Sequence, residues 1–206
     1  MAIDLQKGQR IDLTKKSGSQ LSNFCVGVNW GAIEKTKRGF FGKKQVVEAV
    51  DLDASCIMVD AQKELLDVVF FQQLRSKDGA ITHSGDDRTG DVGGDDGLDN
   101  EVISVQLDRL SPQVDQVIFF LNSFEGHDFA IVPFASIRLY EGTPTRVNEI
   151  FATYDIASAP EYRGHTSMVM GKVYQKNGEW KFNAIGDPTR DADLKHTINT
   201  IMHKYL

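Results

Sequence analysis

An antiparallel β-sandwich is the fold class that this 206-residue sequence predicts. Three observations predict it. Apolar side chains alternate with a period of two through successive short segments, turn signals recur roughly every ten residues, and helical spacing shows clearly only once, at the end. Hydrophobic residues make up 41% and charged residues 25% of the chain, the balance of one ordinary globular domain spanning residues 1–206.

In "FCVGVNWG", Phe24, Val26, Val28 and Trp30 alternate with Cys25, Gly27 and Asn29, the pattern of a strand. "QVVEAVDLDASCIMV" (45–59) reads as one long β-branched strand that carries Asp51 and Asp53 near its middle. "LDVVFFQQL" (66–74) follows as another strand, and "EVISVQLDRL" alternates again, with Ile103, Val105 and Leu107 on one side. "QVIFFLNSF" (116–124) is apolar enough to be buried on both faces. Pro133 marks an edge, bulge or break in "FAIVPFASIRLYEG". "HTSMVMGKVYQKNGEWKFNAIG" predicts a hairpin turning at Asn177-Gly178, residues that accept positive φ. Short helices complete the sandwich. In the last of them Leu194, Ile198, Ile201 and Tyr205 form an apolar stripe, with Asp191 or Thr189 placed to cap it.

Charge is distributed unevenly. The chain has 29 acidic and 23 basic residues, for a net charge of −6. Residues 86–101 hold seven of the acids and one base, so the other 190 residues are balanced at 22 of each. Two carboxylates held ~6 Å apart near a surface repel by roughly 3 kcal/mol at an effective dielectric constant of about 20. A loop reading "HSGDDRTGDVGGDDGLDNE" therefore binds a cation, takes up protons or stays open in water; catalytic carboxylates are a further reading. Calcium suits it, because that ion takes six to eight oxygens and glycines let a loop turn carboxylates and carbonyls toward one point. The spacing is not that of an EF-hand, since Gly93 stands where the third-position ligand counted from Asp91 belongs. Magnesium keeps more of its waters, and zinc would find only His83 nearby, a residue better read as a hydrogen-bonded loop histidine. On an extended strand Asp51 and Asp53 project to the same side ~7 Å apart, and buried carboxylates need a partner.

Cys25 and Cys56 lie in apolar, strand-like runs and read as reduced, buried thiols without zinc spacing. No apolar run approaches the ~20 residues that cross a bilayer, and "MAIDLQKGQRIDL" lacks the apolar core of a secretion signal, so a cytoplasmic location is expected. The acidic balance argues against DNA binding. Residues 34–45, "EKTKRGFFGKKQ", set Lys35, Lys37, Arg38, Lys43 and Lys44 around Phe40 and Phe41; this is either a solvated turn or a surface for a partner or a membrane. The chain contains no Gly-x-Ser-x-Gly elbow, phosphate loop or His-Glu-x-x-His motif, and His127 and His165 have acids nearby only in sequence.

"DLDASCIMVD", "FFQQLRSKDGAITHSGDDRTGDVGGDD" and "NGEWKFNAIGD", in that order after the opening "IDLQKGQRIDL", resemble the TerD family of tellurite-resistance and stress-response proteins. The resemblance runs through nearly the whole chain. It implies a cytoplasmic, non-enzymatic, calcium-binding β-sandwich encoded with other tellurium- and stress-response proteins, which are then the expected partners. It further implies that the "DLD" aspartates meet the acidic loop around two neighbouring calcium ions, with Asp51, Asp53, Asp86, Asp87, Asp91, Asp95, Asp96 and Glu101 as ligand candidates. The loop departs from the family pattern: Asp91 replaces a glutamate, Gly93 an aspartate, and "GLDN" is an insertion that makes Asp99 an alternative to Glu101. The alternative function is a magnesium- or manganese-dependent phosphohydrolase using the same aspartates.

Overall fold

A computed structural model describes residues 3–4, 8–13, 21–39, 42–156 and 160–206. Its strands, in chain order, are β1 (Ile3–Asp4), β2 (Arg10–Asp12), β3 (Asn23–Trp30), β4 (Ile33–Gly39), β5 (Gly42–Glu48), β6 (Leu52–Val59) and β7 (Leu65–Val69). They continue with β8 (Ile81–His83), β9 (Glu101–Gln106), β10 (Gln116–Ser123), β11 (Ala135–Thr143), β12 (Arg146–Asp155), β13 (Ser167–Lys176) and β14 (Glu179–Thr189). The helix α1 (Leu194–Lys204) ends the chain, and short 3-10 turns occur at 107–109, 129–131 and 160–162.

Two six-stranded sheets form the sandwich, with orders β1-β12-β11-β3-β9-β8 and β2-β14-β13-β10-β6-β7. The pairings within them are antiparallel except for β1 with β12, which is parallel. The period-two pattern does what it predicts. Phe24, Val26, Val28 and Trp30 of β3 share one core cluster with Val117, Phe119 and Leu121 of β10. The Phe24 and Phe119 rings meet edge to face, with centroids 6.0 Å apart, a pairing that adds about 0.5–1.5 kcal/mol to their area burial.

Strand β10 is buried on both faces, as its composition requires. Ile118 and Phe120 point the other way, into a second cluster with Ile57, Val59, Val169 and Ile201, roofed by Leu194, Ile198 and Tyr205 of α1. The helix cap differs from the expected residues. Asp193 caps α1 by accepting from the His196 amide at 2.9 Å, because β14 continues through Thr189 and the Asp191 carboxylate instead takes the Thr200 hydroxyl. At the hairpin tip Asn177 and Gly178 adopt φ of 55° and 78°, the primed turn that their sequence selects. Cys25 and Cys56 are buried free thiols. Among the described residues no helix is long and apolar enough to cross a membrane.

Four local expectations change. The strand expected over 45–59 is broken at Ala49–Asp51: β5 leaves to pair with β4 in a separate ribbon, while β6 enters the second sheet. The break follows from the Val50 backbone, whose amide donates to Thr89 O and whose carbonyl accepts from the Trp30 indole. Residues 70–74 turn rather than extend, closed by paired backbone bonds between Phe70 and Gln73. Leu107 belongs to a 3-10 turn rather than to the strand before it, though it is buried as expected. The basic segment 34–45 forms the arms of the β4–β5 ribbon, with Lys37, Arg38 and Lys44 exposed, and Phe40 and Phe41 lie outside the described residues.

Candidate metal centre

The acidic loop is fastened to the end of β3 by its backbone. Asp91 N donates to Trp30 O at 2.9 Å, Ala32 N donates to Asp91 O at 2.8 Å, and Trp30 N donates to Asn100 Oδ1 at 2.8 Å. The Trp30 ring, fully buried, donates through Nε1 to Val50 O at 2.7 Å. Gly90 lies directly on that ring with φ +69°, and a Cβ there would stand 2.6 Å from Trp30 Cδ1, so only glycine fits. One tryptophan thus joins the loop after β8 to the strand that carries the "DLD" aspartates.

Of the eight predicted ligand residues, six fall into two trios. Asp51, Asp53 and Asp86 each bring a carboxylate oxygen within 4.8 Å of the others, and so do Asp91, Asp95 and Asp96. The first trio is the costly one. Asp51 and Asp53 are 7% and 4% exposed, and Asp51 Oδ1 is buried with no hydrogen-bond partner. The nearest base, Arg88, holds its Nε 3.9 Å from Asp51 Oδ2 and is itself largely exposed. Burial first, then repulsion from Asp86 and Glu101, pushes Asp51 up to about 6, with Arg88 opposing. Burial, then Glu101, Asp51 and Asp86, pushes Asp53 up to about 7.

The second trio is more open to water, and the loop's own donors hold its carboxylates. Asp95 Oδ1 accepts from Asn29 Nδ2 at 2.9 Å and from the Gly97 amide at 2.7 Å. Asp91 accepts from the Asp96 amide and from Asn100 Nδ2, and Asp96 accepts from the Leu98 amide.

Asp87 and Glu101 lie in neither trio and connect the two. Glu101, fully buried, accepts from Ala54 N at 2.7 Å and from Asp87 N at 3.2 Å. Burial raises its pKa, against the pull of His83 and those two amides. Asp87 accepts from Thr89, Gly90 and Asn100; burial alone would raise it, but those bonds outweigh burial and hold it below the usual carboxylate range. Asn100 donates to both Asp87 and Asp91, extending the hydrogen-bonded path from Glu101 through Asp87 to the second trio.

Asp99, the alternative to Glu101, turns away from both trios. It pairs with Arg138 Nε at 2.7 Å, over Gly27, where a Cβ would stand 2.0 Å from its carboxylate. His83 is a strand residue rather than a loop residue: its Nδ1 accepts from Gly85 N, which leaves the Nε2 proton facing Ala54 O at 3.0 Å and Glu101 Oε2 at 3.3 Å. Trp30, Asn29 and Asn100 were not singled out as site residues. Only Trp30 gave a signal, as the one large aromatic ending the β3 alternation beside Gly31.

Comparison with known proteins settles the family. The model of the TerD domain matches residues 1–200. This chain belongs to the TerD family. It is 35% identical to stress response protein SCP2 of Bacillus subtilis (strain 168), over 97% of this chain and 98% of that one. It is also 35% identical to tellurium resistance protein TerZ of Serratia marcescens, over 93% of each. A solved homologue of telluride resistance protein (TerD) from Streptomyces coelicolor A3(2) superposes with a TM-score of 0.66 at 21% identity, covering 90% of this chain and 97% of that one, which confirms the fold. The relatives' names denote resistance and stress response rather than an enzymatic reaction.

The donor set of this TerD domain fits a hard divalent cation. Both trios offer only carboxylate oxygens, and in the buried one Asp51 Oδ1 lacks a partner. Without a cation the electrostatics predict an unusual pH dependence. Asp51 and Asp53 sit above their unfolded value of 3.8 when folded, so the native state holds more protons than the unfolded state between about pH 4 and 7. Their contribution to stability is fully present below that window and is lost as pH rises through it. In chelator-treated protein the unfolding free energy is expected to fall between pH 5 and 7.5, and Asp53→Asn to flatten the fall and stabilise the metal-free protein at pH 7.5. Urea titrations across that range check both signs.

Proposed function

We propose that the protein binds calcium as a member of the tellurium-resistance and stress-response group, with no catalytic step of its own. The observation that carries this reading is the buried trio: three carboxylates within 4.8 Å, two of them nearly inaccessible to water, with one exposed arginine for compensation. Each pair repels by roughly 3 kcal/mol or more at an effective dielectric constant of about 20, which a divalent ion reverses. Asp51, Asp53 and Asp86 would hold one ion with Glu101 at its buried side, and Asp91, Asp95 and Asp96 a second, with Asp87 fixing the turn between. The calcium would supply the positive charge that fixes the loop against β6.

Ordering the loop also defines a surface. Val92 and Leu98, 62% and 60% exposed, are apolar side chains held out from an otherwise acidic segment. Such side chains suit contact with a partner protein, and the proposed partners are other tellurium- and stress-response proteins. A cytoplasmic setting and a membrane-surface role for the basic β4–β5 ribbon belong to the same proposal.

Calorimetric titration of the chelator-treated protein tests it. Calcium is expected to bind with sub-millimolar affinity and magnesium much more weakly, while bis(p-nitrophenyl) phosphate is not hydrolysed with magnesium or manganese. Absence of calcium heat at millimolar concentration removes the calcium reading; turnover that disappears with Asp53→Asn would favour a metal-dependent phosphohydrolase instead.

A further inference from the structure

A cavity of about 190 Å³ opens beside the buried trio, with Asp53 in its wall. Three phenylalanines line it. Phe71 meets Phe70 edge to face at 5.5 Å and Phe124 at 5.8 Å, and Phe124 is held 59% exposed at the surface. The polar groups around it are two carboxylates, an amide and a hydroxyl. Asp53 and Asp193 contribute two carboxylates, no lysine, arginine or histidine lines it, and Asn122 spends its amide on Thr197 Oγ1 at 2.8 Å, leaving Oδ1 without a partner. Ser123 Oγ, in the same wall, is also unpartnered.

These features select the sign of the ligand. Aromatic faces carry negative potential and attract an ammonium group, most strongly where water is excluded. The start of α1, which also opens here, would by itself favour an anion, but Asp193 already takes the His196 amide and places a negative charge at that end. The volume admits a short aliphatic chain beside the rings. We propose that this pocket binds a primary alkylammonium group, the chemistry shared by a lysine side chain and a small free amine. Its charge lies toward Asp53 and its methylene groups lie against Phe71 and Phe124. Asp53 belongs to both the pocket wall and the buried trio, so an amine and a calcium ion would compete for it, whereas Phe71, Phe124 and Asp193 lie in neither trio.

Titration in chelator, followed by amide chemical shifts, tests it with n-butylammonium chloride, n-butanol and Nα-acetyl-lysine N-methylamide. The butylammonium ion is expected to bind at least tenfold more tightly than butanol, and Asp53→Asn to remove most of that difference. Phe124→Ala, at an exposed position, is expected to weaken binding about fivefold while leaving calcium affinity at the wild-type value. Comparable binding of the lysine derivative identifies a protein side chain as the occupant; binding of butylammonium alone identifies a free amine. Equal affinity for butanol, unchanged binding in Phe124→Ala, or no shift at tens of millimolar would overturn the proposal.

Discussion

Calcium at about a hundred times its dissociation constant is expected to raise the midpoint of thermal unfolding by roughly 5–10 °C. One site occupied to that degree stabilises the native state by about 2.7 kcal/mol, and a domain of this size gains about 2–4 °C per kcal/mol. The shift comes from the native state alone, because in the unfolded chain Asp51 and Asp53 are separated from Asp86 by more than thirty residues of loop and strand. Asp53→Asn is expected to abolish most of it. The same substitution stabilises the calcium-free protein at neutral pH, since it removes a carboxyl held near 7 by burial and three neighbouring acids. That opposite response in the two conditions distinguishes a ligand from a packing residue, which would lose stability in both. Differential scanning with calcium, magnesium and chelator provides the comparison; an undiminished calcium shift in Asp53→Asn would remove this residue from the site.

Trp30→Ala is expected to produce the largest loss of stability, about 3–5 kcal/mol, the range for truncating a fully buried aromatic. The loss has two parts. The cavity lies in the main cluster, among the side chains shared by both sheets, and the Val50 carbonyl is left without its indole donor. Gly90 would also lose the ring on which it rests, so calcium affinity should fall with stability. Trp30→Phe separates the two parts: it keeps most of the packing and removes only the indole hydrogen bond, at about 1–3 kcal/mol. Urea unfolding measures both, and a cost below about 1 kcal/mol for Trp30→Ala would show that the loop does not depend on this platform.

The strands that were legible in the sequence each follow a simple local rule, whereas β1, β2, β8 and β12 were not read from it. The alternation in β3, the two-sided apolarity of β10 and the Asn177-Gly178 turn each depend on local geometry, and local geometry is written in neighbouring residues. The breaks were not legible, because they are set by distant partners. Nothing in "QVVEAVDLDASCIMV" announces that Val50 will be claimed by Thr89 on one side and Trp30 on the other. The helix cap shifted for a similar reason: the Asp191 amide donates to Ser167 Oγ and its carboxylate accepts from Thr200, which settles Asp191 in another role, and the next acid takes the His196 amide.

Within the candidate site, charge counting and the "DLD" pair pointed to two segments that the structure brings together, and the geometry then divided their acids. Asp87 and Asp99 look like the other loop aspartates in sequence. Asp87 is drawn into a turn by Thr89 and Gly90, and Asp99 is drawn under the first sheet by Arg138, 39 positions later in the chain. Glu101 lies beyond the inserted "GLDN", yet pairing of β9 with β3 returns it to the Asp53 side, where Ala54 N holds it. Asn100 gave no signal at all, because its importance is that it reaches two carboxylates at once.

A crystal structure of the protein grown with calcium tests the central claim most directly. Anomalous density is expected for an ion whose oxygen ligands, at about 2.3–2.6 Å, include the side chains of Asp51, Asp53 and Asp86. Full calcium occupancy elsewhere, with those three carboxylates still facing one another and no ion among them, would contradict it.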